Sequence, residues 1–233
     1  MNEPQRIRYR FDLPDGSQKW LDFSFDGADF RLANAPPSEP PFWTELKFNQ
    51  CANCPLDPGQ HQHCPAALQM ASAIEPLKAL VSFDNVGVTV TQAERTIFAD
   101  TTAQQAMSSV LGLIMATAGC PWTDRFRPMA RFHLPFASEL ETVYRCVCMF
   151  LLAREMAGAS GEKGFAALRG LYDNLHVVNR GMSRRLGAAT QTDPARNAMA
   201  LLDAYTTLLP AALESSLEDL RALFDAWRDP EKF

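Results

Sequence analysis

The sequence predicts an α+β fold: a small antiparallel sheet in the N-terminal part and a bundle-like helical C-terminal half. Three observations predict it. Apolar and polar residues alternate in short runs before residue 100. After residue 100 the apolar residues recur at spacings of three and four. The two kinds of segment are segregated, which argues against an alternating βαβ arrangement. Residues 1–100 are therefore read as a β region with a cysteine-rich loop and one helix. Residues 101–233 are read as a helical region packed with the first as one unit.

Arg6, Arg8 and Arg10 alternate with Ile7, Tyr9 and Phe11, the pattern of a half-buried strand. Pro14-Asp15-Gly16-Ser17 is a turn, and Leu21, Phe23 and Phe25 alternate again, completing a β-hairpin. The arginine row is a solvated face. A stiff, proline-rich stretch follows at residues 35–41, then a short strand at 42–48. Pro65 opens a helix to about Ser82. Val86, Val88 and Val90, then residues 96–98, give two more strands.

Met107, Val110, Leu111, Ile114 and Met115 mark the buried face of a helix that Gly119 and Pro121 stop. Residues 120–137 are irregular. Ser138-Glu139-Leu140-Glu141 is a capping box that starts a helix to about Met156. Cys146 and Cys148 fall on different faces of it, both assigned to core packing. Residues 158–164 form a loop. A helix from about Phe165 carries Arg180, Arg184 and Arg185 near its end, where the helix dipole favours them. Asp193-Pro194 caps the next helix, Pro210 breaks or kinks it, and a last helix ends near Trp227.

Composition excludes several functional classes. The 233 residues carry 22 basic and 27 acidic side chains, a net charge of -5, with 47% apolar residues. That balance argues against disorder and against nucleic acid as a partner. Residues 101–123 lack charge but are interrupted by Gln, Ser and Thr, so no membrane span is expected. MNEPQRIRYRFDL has no apolar stretch after its charges and does not read as a secretory signal, so a reducing, cytoplasmic location is expected. Arginine outnumbers lysine 17 to 5, which leaves a small set available to an anionic ligand.

The densest chemistry is Cys51-Ala52-Asn53-Cys54-Pro55 followed by His61-Gln62-His63-Cys64-Pro65. Thiolates two residues apart can share a metal from one turn, and a third thiolate or an imidazole can complete the shell. Cys51, Cys54 and Cys64 are the expected ligands, with Cys120 or His63 as the fourth. Zinc is preferred. Three Cys-Pro pairs, at 54, 64 and 120, make an iron–sulfur cluster the alternative. A thiol redox pair, Cys51 and Cys54, is a further reading.

A second concentration runs from Cys120 to Arg145. Cys120 and His133 have the types of a nucleophile and its base. His133, Glu141 and Arg145 are candidate ligand-binding residues, Glu141 and Arg145 being one turn apart on a helix. The expected function is a metal-organised binding or regulatory protein with a small-molecule or protein partner. An enzyme built on Cys120 and His133 is the alternative.

The runs CxxCPL…HCPAA, SSVLGLIMATAGCP and RPMARFHLPFASELETVYR, together spanning about residues 51–152, resemble motifs of a family of soluble bacterial proteins of unassigned activity. The resemblance implies a bacterial, cytoplasmic protein. It assigns no catalytic residue.

Overall fold

A computed structural model describes residues 3–159, 165–189 and 194–227. Strands β1 (Gln5–Asp12), β2 (Gln18–Phe25), β3 (Asn85–Thr91) and β4 (Thr96–Thr102) form one antiparallel sheet in the order β2-β1-β3-β4. Period-two alternation decides its buried face. Ile7, Tyr9 and Phe11 of β1, Leu21, Phe23 and Phe25 of β2, and Val86, Val88 and Val90 of β3 all point into the core. The arginines of β1 stay on the other face. There Arg8 pairs with Asp22, Arg10 pairs with Asp12, and both stack near Trp20.

Six helices follow the hairpin in part: α1 (Pro65–Ile74), α2 (Ala103–Thr117), α3 (Arg127–Arg131), α4 (Glu139–Met156), α5 (Ala166–Ala189) and α6 (Pro194–Leu220). Helix α2 is central. Thr102 caps it, it packs on the sheet, α1 and α6, and nearly every side chain on it is buried. Gly119, at φ +87°, turns the chain out of it. The capping box of α4 is present as the sequence predicts: Glu141 N–H donates to Ser138 Oγ, and Ser138 N–H donates to Glu141 Oε2. A second, smaller core joins Val143, Cys146 and Val147 of α4 to Leu168, Tyr172 and Leu175 of α5.

Several elements differ from the sequence prediction. Residues 42–44 form a 3-10 turn, not a strand, and the only pairing near them is an isolated bridge between Glu45 and His63. Helix α1 ends at Ile74, because Pro76 cannot continue its hydrogen bonding and residues 75–77 tighten into a 3-10 turn. The 120–137 segment holds a 3-10 turn at Thr123–Phe126 and the short α3. Helix α6 runs through Pro210 unbroken, since packing on α2 and α5 carries it across one lost backbone donor. It continues into a 3-10 stretch, Arg221–Trp227. Cys148 is exposed, not in the core. Asp193 and most of the 158–164 loop lie outside the described residues.

Candidate four-cysteine site and adjoining cavity

The cysteine loop is folded by short-range bonds. Cys54 N–H donates to Cys51 O at 2.9 Å, closing the CxxC turn. Asp57 fastens the loop tip by accepting from Gly59 N–H through its side chain and from His61 N–H through its carbonyl. The return leg lies beside residues 44–46: Leu46 N–H donates to Gln62 O and Cys64 N–H to Thr44 O, both at 2.8 Å. Cys64 is thereby set at the N-cap of α1, with Pro65 in the first turn.

Cys120 arrives from the other side, just past the end of α2. Trp122 then donates its indole N–H to Asn53 O at 2.7 Å, stapling the segment after Cys120 to the CxxC turn. Helix α5 covers the assembly. Asn53 Nδ2 donates to Asn174 Oδ1 at 2.9 Å, and the Cys51 thiol lies 3.8 Å from Val178 O. Gly181 gives Cys51 its room, for a Cβ there would stand 2.5 Å from Cys51 Sγ.

Cys51 senses the other three thiols. Burial pushes the Cys51 thiol up to about 12, and the charges of Cys64, Cys120 and Cys54 add to the rise. Burial raises Cys64 as well, opposed by the Ala67 and Ala66 N–H groups and by Arg185. All six cysteines are unbridged. Among the described residues, no three His, Cys, Asp or Glu side chains form a group that could hold one metal ion as they stand. His63 gives its Nδ1 to the Thr44 hydroxyl at 2.9 Å, and His61 is exposed.

Arg185 is the residue that sequence reasoning missed. It is 1% exposed. Its Nη1 donates to Trp43 O and Glu45 O, and its Nη2 to Leu46 O, at 2.6–2.9 Å. Its Nε is buried with no hydrogen-bond partner. Its charge favours the thiolates of Cys51 and Cys64. Arg180, Arg184 and Arg185 all precede the last turn of α5, which runs to Ala189, so the helix dipole does not account for them. The signal was phase: Arg185 follows Val178 by seven residues, on the buried face of α5.

Two of the second set, His133 and Arg145, border a partly open cavity of about 350 Å³ between α2, residues 123–137, α4, α5 and α6. His133 lines it and is buried. Its Nε2 is hydrogen-bonded to Tyr9 OH at 2.5 Å, and Tyr9 OH lies 2.8 Å from Ser109 Oγ. Burial, with the Arg145 charge beside it, depresses His133 to about 3, so the ring is neutral. Arg145 also lines the cavity, its Nη2 donating to Met129 O and Phe132 O at 2.7 and 2.8 Å. Glu141 does not line it. Its carboxylate serves the cap, which holds it below the usual carboxylate range. Cys120 is absent from the cavity wall, and no hydrogen bond joins it to His133. The structure thus sets Cys54, Cys64 and Cys120 within electrostatic reach of Cys51, and places His133 and Arg145 on a separate cavity wall.

These features define an α+β protein with four convergent cysteines on one side of α5 and an apolar cavity on another. No helix among the described residues is long and apolar enough to cross a membrane. The chain belongs to the DUF6901 family, a domain of unknown function, whose family model matches residues 7–225. No curated protein and no solved structure matches it.

Proposed function

We propose that Cys51, Cys54, Cys64 and Cys120 hold a metal centre that organises a ligand-binding or regulatory protein of a reducing compartment, and that this centre is an iron–sulfur cluster in preference to zinc. One observation carries the reading. Cys54, Cys64 and Cys120 lie within electrostatic reach of Cys51, which packs against α5, beside a buried arginine whose Nε–H has no partner. One tetrahedral zinc, with Zn–S near 2.3 Å, needs thiols about 3.8 Å apart. No three of these thiols form a group that would hold a single ion as they stand. A four-iron cluster interposes its own iron and sulfide, so its four thiolates stand wider apart. Such a cluster supplies one-electron chemistry and a cross-link between distant segments. The protein supplies four thiolates, the α1 N-terminus at Cys64, and the Arg185 charge against the anionic core.

The other readings have less support. A nucleophile needs its base within about 3 Å, and Cys120 has no bond to His133. An attacking CxxC thiol is activated by a lowered pKa, whereas Cys51 is pushed the opposite way. The test is anaerobic purification without a histidine tag. A cluster gives about four iron and four sulfide per chain and absorbance near 400 nm that bleaches on reduction. One zinc without colour would return the centre to zinc. Less than about 0.3 equivalents of either metal would overturn the metal reading altogether.

A further inference from the structure

From the cavity wall we infer a second site: the space between α2, α4, α5 and α6 binds an apolar monocarboxylate, such as a medium-chain fatty acid, with Arg145 receiving the carboxylate. The inference does not depend on the four-cysteine centre.

Half of the lining residues are Leu, Met, Phe or Ala, and seven hydroxyl and two amide side chains are interspersed among them. No Asp, Glu or Lys lines it. Arg145 is its one cationic residue, because His133 is buried beside Arg145 and engaged by Tyr9. Among the described residues Arg145 makes no ion pair. Its Nη2 is spent on the carbonyls of Met129 and Phe132, and Nε and Nη1 have no hydrogen-bond partner there. Glu141, one turn away, turns its carboxylate back to the Ser138 N–H. The Glu141 charge reaches this half-buried guanidinium without pairing directly with it, so an anion bound against the guanidinium offsets more of its desolvation.

Charge and shape then select the ligand class. A single unpaired cation in an otherwise neutral wall suits a monoanion, whereas a phosphate dianion calls for several converging donors. The planar fork of the guanidinium matches a carboxylate. The rest of the wall is neutral and exposes mostly apolar surface, so the rest of the ligand is mainly hydrocarbon. A space of about 350 Å³ falls in the range of small-ligand pockets, which suits a medium-chain acid such as decanoate.

Calorimetric titration of the full chain, with its native metal content, tests this with decanoate, decanol and decylamine. Decanoate is expected to bind at one site per chain, at least about tenfold more tightly than decanol, with decylamine weaker still. Arg145→Gln should weaken decanoate by about the same factor and leave decanol unchanged. Arg145 also holds two loop carbonyls, so the comparison of the three ligands on the unaltered protein stands independently of whether the variant folds. Absence of decanoate binding, or equal affinity for decanoate and decanol, overturns the proposal. So does full decanoate affinity in a folded Arg145→Gln protein.

Discussion

Gly181→Ala isolates the contact between α5 and the cysteine loop. The new Cβ would lie 2.5 Å from Cys51 Sγ and 3.5 Å from Cys51 Cα and Cβ. Rotating the thiol aside relieves the first contact but takes Cys51 off the centre, and moving the backbone strains the CxxC turn. Overpacking of this kind costs about 1–3 kcal/mol, against a helix-propensity gain of about 1 kcal/mol for replacing glycine by alanine. The net effect runs from about zero to a loss of about 2 kcal/mol. Gly170 lies in the same helix, and a Cβ there meets nothing within 4 Å. Gly170→Ala should therefore gain about 1 kcal/mol, leaving the two variants about 1–3 kcal/mol apart. Urea denaturation of both, with iron, sulfide and zinc content measured in parallel, checks the sign and the site together. If Gly181→Ala is stabilised as much as Gly170→Ala and keeps its full metal content, the packing of Cys51 under α5 is refuted.

Arg185→Met leaves two carbonyls, those of Trp43 and Leu46, without their donor, while Glu45 O keeps the Phe48 N–H. At about 1 kcal/mol or more for each unsatisfied buried group, the loss should reach about 2 kcal/mol. A urea midpoint within 1 kcal/mol of the parent would contradict this, and Arg185→Lys should rescue little because it lacks the fork. His133 predicts an acid limb in stability. Its folded pKa of about 3 lies below the ordinary 6.5, so the unfolded chain takes up the proton first. Nothing is lost above pH 6.5, and stability falls by about 1.4 kcal/mol per pH unit from there towards 3. His133→Gln should flatten that slope between pH 6 and 4, and an unchanged slope would assign the acid limb to other groups.

The sheet and the long helices were legible because their patterns repeat. Period two in β1, β2 and β3, the Ser138 cap and the Gly119 stop are local chemistry, and local chemistry is written in neighbouring residues. Convergence of Cys120 on the CxxC loop was legible only as a possibility, since 65 residues separate Cys120 from Pro55 and nothing short-range specifies their meeting. Residues 42–48 were misread because Phe42, Trp43, Leu46 and Phe48 look strand-like, while Trp43 and Leu46 serve the core and their carbonyls serve Arg185. The role of Arg185 itself depends on three carbonyls some 140 residues away, which no local pattern encodes.

Helix α5 joins the two sites by its own periodicity. Asn174, Val178, Gly181 and Arg185 recur along the face that meets the cysteine loop. Tyr172, Leu175 and Asn179 recur on the adjoining face and line the cavity. A rigid rod cannot move one face without the other, so a centre that fixes α5 also fixes one wall of the cavity. Linkage then requires reciprocity: whatever factor the centre adds to ligand affinity, the ligand adds to retention of the centre. Decanoate affinity with and without the centre, and the rate of metal loss to a chelator with and without decanoate, should change in the same direction. An affinity unchanged by removal of the centre from a chain that stays folded would show that α5 holds its place by packing alone, through Tyr172, Leu175, Val178 and Met182.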